Sequence, residues 1–227
     1  MAYEKVFKAK DFCASLIAGV WSMKATEYQS VKPLNCLYYW GNQKWSADCN
    51  NLYKCWIWSK GELPKNVGGY WYNPGRYGLG DVTCKQLIDA CADVSTNFTN
   101  IEPGEILYIK GSTDLDGHIG IYVGDYSKVL NGVTYTWNVV ESTPIWNNGI
   151  QTTYLDKNGN RFQCKGGAQA GRWEKHGKHP NIEFPSAPTP VTDDLKYSIS
   201  EKNGKQILTV DGKGKFEIST TTIVKKL

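Results

Sequence analysis

The 227-residue sequence predicts an α+β domain in which N-terminal helices pack on a central antiparallel sheet. Apolar residues recur at helical spacing as far as Cys91. From Glu105 onward the pattern changes to short β-branched and aromatic runs bounded by turn residues. Helices first and strands after is the order of an α+β domain, not of alternating βαβ units. The stretch Pro185–Pro190, rich in proline, reads as a semi-rigid linker.

Each element follows from its own pattern. Glu4–Trp21 places Val6, Cys13, Ile17, Val20 and Trp21 on one face of an amphipathic helix. Lys32–Ala47 is aromatic and without period. Cys49–Lys60 fits a helix with Leu52, Cys55 and Trp56 inward and Gly61 as its stop. Gly61–Gly80 is rich in Gly, Tyr, Pro and Asn and reads as a long loop. Asp81 is placed to cap a helix running to about Cys91, with Cys84, Leu87, Ile88 and Cys91 as its stripe. Strands are expected at Glu105–Ile109, His118–Val123, Thr134–Glu141 and Gln151–Leu155. The expected organisation is a main domain over 1–184, a linker over 185–192 and a small polar segment over 193–227, too short for an independent core.

Composition narrows the partners. Nine Trp and fourteen Tyr fit a large aromatic core, with stacking on sugars as a second use. The net charge of +4 favours approach to an anionic polymer such as a bacterial wall. No basic run argues for nucleic acid, and no apolar stretch is long enough for a membrane. Met1–Lys10 carries four charged residues and no apolar run, so no signal peptide is expected. The seven cysteines leave at least one thiol free, and they contain no CxxC pair for a zinc ribbon. Mostly reduced, buried cysteines with one reactive thiol are expected. Asn97-Phe98-Thr99 is a glycosylation acceptor pattern, relevant only in a eukaryotic secretory pathway.

The chemistry lies in Asp48-Cys49-Asn50-Asn51 and Gly117-His118-Ile119-Gly120. A thiol at a helix start is favoured as thiolate by the unpaired amides there. An imidazole at a strand start can take its proton. Glu141, at the end of the next strand, would lie near His118 if the two strands pair, orienting the ring and supporting its charged form. The amide of Cys49 would serve as an oxyanion donor. Taken singly, Cys49 reads as a buried thiol, His118 as a strand histidine and Glu141 as a surface carboxylate. His176 and His179, three apart, lack a third metal ligand. Asp114-Leu-Asp116-Gly117 has only the opening of a calcium loop. The expectation is therefore no metal and no cofactor.

At these residues the chain resembles the NlpC family of cell-wall cysteine peptidases. The matching stretches are Tyr38-Tyr39-Trp40-Gly41, Asp48-Cys49-Asn50-Asn51 and His118-Ile119-Gly120-Ile121-Tyr122-Val123-Gly124, in that order over about residues 1–184. Glu141-Ser-Thr-Pro-Ile-Trp146 and Trp173-Glu-Lys-His-Gly-Lys-His-Pro180 resemble a branch found in phages and prophages of gut Firmicutes. The resemblance implies a papain-like fold and a Cys49–His118–Glu141 triad. It also implies cleavage of peptidoglycan stem peptides between D-glutamate and the diamino acid. Tyr38, Trp40 and Asp48 would then line the substrate site, with Tyr38 and Asp48 on the free amine of L-alanine. Asn50 and Asn51 stand where the family has serine and glycine, Asn42 replaces a glycine, and the third residue is a glutamate, as in the related CHAP amidases. Leu208–Lys213 and Ser219–Val224 resemble the opening of a peptidoglycan-binding repeat.

The implied product is an endolysin-type hydrolase, acting as a monomer on bacterial peptidoglycan, outside the cell or delivered to the wall. Two other readings stay open at this point. One is an N-acetylmuramoyl-L-alanine amidase using the same triad. The other is an inactive wall-binding module holding glycan on Gly69-Tyr-Trp-Tyr72. A eukaryotic host that acquired the gene is a third setting, in which Asn97 would be glycosylated.

Overall fold

The computed structural model of the chain describes residues 2–30, 36–112, 117–185, 197–202, 205–210 and 214–218. The chain divides into two compact units, Met1–Pro185 and Ser186–Leu227. The larger is a mixed α/β unit. Its first half holds β1 (Phe7–Lys8), α1 (Ala9–Ser22), β2 (Ala25–Tyr28), β3 (Leu37–Gly41), β4 (Lys44–Ala47), α2 (Cys49–Ser59), β5 (Tyr70–Trp71) and α3 (Cys84–Asp89). Its second half holds β6 (Ala92–Ser95), β7 (Ile106–Lys110), β8 (Gly117–Leu130), β9 (Val133–Thr143), β10 (Gly149–Leu155), β11 (Asn160–Phe162), β12 (Gln169–Arg172), β13 (Lys175–Lys178) and β14 (Ile182–Glu183).

Eight strands form one antiparallel sheet in the order β12-β11-β10-β9-β8-β7-β13-β6. Both faces are covered, as the alternation along β7 shows. Ile106 and Tyr108 join the core shared with α1 and α2, whereas Leu107 joins a second cluster with Phe98, Val139, Leu155 and Trp173. A four-stranded sheet, β2-β4-β3-β5, delivers the chain into α2, because β4 ends at Ala47 and α2 begins at Cys49.

Helix α2 is buried all round, with ten of its eleven residues inaccessible. The three-residue stripe expected from its sequence is thus too narrow. A helix apolar on every side belongs inside the molecule. Leu52 and Ile57, fully buried, contribute roughly 1.5–3 kcal/mol each. The exception by chemistry is Lys54, 1 % exposed. Its Nζ donates to Asp81 Oδ1 at 2.6 Å and to Val82 O at 2.9 Å. Tyr72 donates to the other Asp81 oxygen at 2.7 Å, so the carboxylate ties the long loop to the helix.

That pairing corrects one expectation. Asp81 does not cap α3; Thr83 does, in a reciprocal box with Gln86, and the helix ends at Asp89. The first helix is also shorter than its apolar period. It begins at Ala9, since Phe7 and Lys8 pair with Ile182 and Glu183, and Val6 donates to Asn181 O. Its buried face is Ala9, Phe12, Cys13, Leu16 and Val20. The Lys32–Ala47 stretch contains the β3–β4 hairpin. Its turn, Asn42-Gln43, has positive φ at both residues (49° and 58°), the geometry of a tight I′ hairpin. The Gly61–Gly80 loop contains β5 and one turn of 3₁₀ helix at Arg76–Gly78.

All four expected strands form, as β7–β10, with β8 extended well past its expected end. Strands β2, β6 and β11–β14 are additional. All seven cysteines are free. The smaller unit is an antiparallel meander of β15 (Tyr197–Lys202), β16 (Lys205–Val210) and β17 (Gly214–Ile218). Ser219–Val224, Asp114–Asp116 and the linker beyond Pro185 lie outside the described residues. No helix among the described residues is long and apolar enough to cross a membrane.

Removing one partner of a buried ion pair costs about 3–5 kcal/mol. Lys54→Met, which keeps the packing but strips Asp81 of its cation, is expected to lower stability by that amount, and Lys54→Met combined with Asp81→Asn by much less. Urea midpoints at constant m-value test this; equal, small losses in both variants would contradict the role given to Lys54.

Candidate active site

Cys49 is placed by the helix cap before it. Asp48 has extended backbone and accepts from the Asn51 amide at 2.6 Å, while its other oxygen accepts from Asn51 Nδ2 at 2.9 Å. The first helical residue is therefore Cys49. The amides of Cys49 and Asn50 fall in the turn that a helix leaves without internal acceptors. The thiol is buried. Its sulfur lies 3.6 Å from Cys84 Sγ and 3.8 Å from the carbonyl of Gly117, and both His118 and the Tyr28 hydroxyl lie close enough to couple to it electrostatically.

His118 follows Gly117, whose φ of +147° is open to glycine and strained for other residues. Pairing of β8 with β9 sets Gly120 opposite Glu141, so His118 and Glu141 are diagonal neighbours on one face. His118 Nε2 meets Glu141 Oε2 at 2.5 Å. With Nε2 held there, Nδ1 is the nitrogen left for the thiol.

Glu141 is fully buried, and its charge is matched by donors on every side. Arg161 Nε donates to Oε1 at 2.9 Å and Nη2 to Oε2. Thr153 Oγ1 donates to Oε1 at 2.6 Å. Burial opposes ionisation of Glu141, but His118 and Arg161 overcome it and hold the carboxyl down at about 2. Burial likewise opposes the imidazolium, yet the hydrogen bonds to Cys49 and Glu141 lift His118 to about 9. The contact with Cys84 and burial push the Cys49 thiol up, and His118 pulls it the other way. A base strengthened by Glu141 thus faces a thiol whose proton is otherwise well held.

Aromatic rings fix both His118 and Arg161. Trp173, fully buried, stacks on the His118 ring with centroids 5.4 Å apart and planes at 19°. Arg161 sits 5.0 Å from the Trp146 ring and 5.5 Å from the Trp173 ring. Gly120 makes room for this: a Cβ there would lie 2.6 Å from the Trp173 ring.

The expected triad is brought together. Asp48 adjoins it, with both carboxylate oxygens engaged by Asn51; burial raises its carboxyl, against the Asn51 bonds. Trp40 donates to Ser46 Oγ at 2.9 Å, and its ring lies 4.7 Å from that of Tyr38. Both are on β3, beside the strand that leads to Cys49. Three residues went unread from sequence: Arg161, Tyr28 and Cys84. An unpaired buried glutamate is untenable, so a search for its cation was the available signal for Arg161. Tyr28 and Cys84 carry no local signal. His176 bonds Glu105 and the Asn97 carbonyl, while His179 packs on Tyr3 and Tyr53. Among the described residues no cluster has the makings of a metal site.

Comparison with protein-family models, curated proteins and solved structures found no match.

Two outcomes follow from this geometry. The stabilisation carried by Glu141 is full above about 4.5 and is lost as pH falls through about 2. That carried by His118 is full below about 6.5 and is lost as pH rises through about 9. Counted once for the pair, it corresponds to about 3 kcal/mol. The wild-type minus Glu141→Gln stability difference should therefore peak between about pH 4.5 and 6.5; a difference independent of pH would contradict the pairing. Gly120→Ala should cost about 1–3 kcal/mol by overpacking and slow turnover by displacing Trp173 and His118. Retention of wild-type values in both thermal melts and kinetics would show that Gly120 does not position Trp173 and His118.

Proposed function

We propose that the chain is a papain-like cysteine hydrolase of the NlpC type that cuts stem peptides of bacterial peptidoglycan. The proposed bond lies between D-glutamate and the diamino acid. What carries the reading is the joint placement of Cys49 and His118: a thiol on the first residue of a capped helix, electrostatically coupled to an imidazole whose far nitrogen is held by a buried carboxylate.

The chemistry follows from those positions. His118 Nδ1 takes the proton of Cys49, and the sulfur attacks the scissile carbonyl. The developing oxyanion is received by amides in the first turn of α2. His118, now imidazolium, is stabilised by Glu141 and returns the proton to the leaving amine. Water then resolves the acyl-enzyme by the same base. No cofactor enters. Asp48 and Tyr38 are proposed to receive the substrate's cationic amine, with Trp40 beside them; each Asp48 oxygen retains a free lone pair after bonding to Asn51. The proposed partner is peptidoglycan outside the cell, met by a monomer.

The test is digestion of purified walls followed by mass spectrometry of the muropeptides. Truncated stems are expected from the wild type and none from Cys49→Ala. Free disaccharide would identify an amidase instead. Equal release by the two proteins would refute the triad, and wall binding without release by either would make the chain a binding module.

A further inference from the structure

Cys84 opens α3 and Cys49 opens α2, far apart in sequence. Their sulfurs nevertheless sit 3.6 Å apart in a buried site, and both thiols point at one carbonyl, that of Gly117, at 3.5 Å and 3.8 Å. Neither sulfur is bonded to another. A disulfide requires about 2.05 Å, so closure needs an approach of roughly 1.5 Å, within reach of small side-chain rotations. The triad makes no use of Cys84, and a second thiol in van der Waals contact with a nucleophile is a chemical liability unless it serves a purpose. Oxidised thiolates that lack such a partner proceed to irreversible acids.

We propose that Cys49 and Cys84 form an oxidation-sensitive dithiol, which hydrogen peroxide closes to a disulfide and a dithiol reductant reopens. The consequence for activity rests on the hydrolase reading; the closure itself rests on the geometry alone. Cys49 is the sulfur that reacts first, because His118 adjoins it and can take its proton. Its thiolate attacks one peroxide oxygen and the O–O bond breaks. The departing hydroxide takes the proton from His118 and becomes water, leaving Cys49 as a sulfenic acid. Cys84 then attacks that sulfur and the S–O bond breaks. Hydroxide leaves with the Cys84 proton as a second water. Two thiols have given up two electrons and two protons, and one peroxide has become two waters. In the closed form Cys49 has no thiol to attack a substrate, and its sulfur is protected from further oxidation. Dithiothreitol restores both thiols by exchange.

The experiment treats the full chain with graded hydrogen peroxide, blocks remaining thiols under denaturing conditions, and maps the cysteine peptides by mass spectrometry. The expected product is a peptide pair linked through Cys49 and Cys84, lighter by two hydrogens and lost on reduction. Wall-digesting activity should fall as the link forms and return with dithiothreitol. In Cys84→Ser, Cys49 should instead gain oxygen irreversibly, with recovery by reductant about tenfold lower than in the wild type. Wild-type Cys49 that gains oxygen without forming the link, or links to another cysteine, would overturn the proposal, and needs no variant to be seen. A chain that forms the link but never digests walls upholds the dithiol and sinks the hydrolase reading.

Discussion

The structure of the site depends on one ionised carboxylate with no access to water. An unpaired charge in the position of Glu141 would cost several kcal/mol, a large share of a domain's net stability. Four hydrogen bonds answer it: one from His118, two from Arg161 and one from Thr153. Those donors come from β8, β11 and β10, so three strands must be in register with β9 before the carboxylate is tolerable. Arg161 in turn is a buried cation. Its charge is met by Glu141, Nη2 also reaches Thr143 Oγ1 at 3.0 Å, and its flat face is covered by Trp146 and Trp173. The motif Glu141-Ser-Thr-Pro-Ile-Trp146 is thereby given physical content at four of its residues. Glu141 holds His118, Thr143 and Trp146 hold the arginine, and Ser142 donates to Ala47 O at 2.6 Å.

That last bond is the bridge between the two halves of the site. Ala47 is the final residue of β4, one step before the Asp48 cap, so the strand carrying the carboxylate is tied directly to the segment that starts the helix of Cys49. Asn50 Nδ2 and Lys54 Nζ both reach Val82 O. The segment leading into Cys84 is held to the same helix as Cys49. The close approach of the two sulfurs follows from these anchors and not from any local feature of either cysteine.

How much of this the sequence disclosed depends on the range of the interaction. The start of α2 was legible because a cap acts over three residues, Asp48 to Asn51. The strands of His118 and Glu141 were legible through alternation, and their pairing through adjacency in the chain. Arg161 was not, since its contact with Glu141 spans twenty residues and three strands, and a lone arginine between Asn160 and Phe162 resembles any exposed strand residue. Asp81 was misassigned for the same reason: its proximity to a helix start suggested a cap, whereas its partner is a lysine buried on another helix. The Asn42-Gln43 turn was unread because glutamine is an unusual occupant of a positive φ. The all-round burial of α2 escaped a pattern that included Lys54 and two asparagines.

The division of labour between helix and sheet is uneven. The helix supplies the sulfur and the amides, but its cap is a carboxylate next to the nucleophile. An anion there favours the helix and disfavours a thiolate. Burial and Cys84 also keep the proton on sulfur. What opposes them is His118, whose own proton affinity is raised in part by Glu141, held at its far nitrogen by the register of β8 against β9. Side chains in a strand alternate faces, so a slip of one residue in that register would turn Glu141 away from the imidazole and aim it, unpaired, into the opposite core among Val140, Ile121 and Ile150. The same slip would remove Gly120 from beneath Trp173. The register is thus fixed twice, once by a charge that must be paired and once by a ring that must be accommodated. The surroundings of a cysteine on α2 are set by the packing of a sheet to which it does not belong.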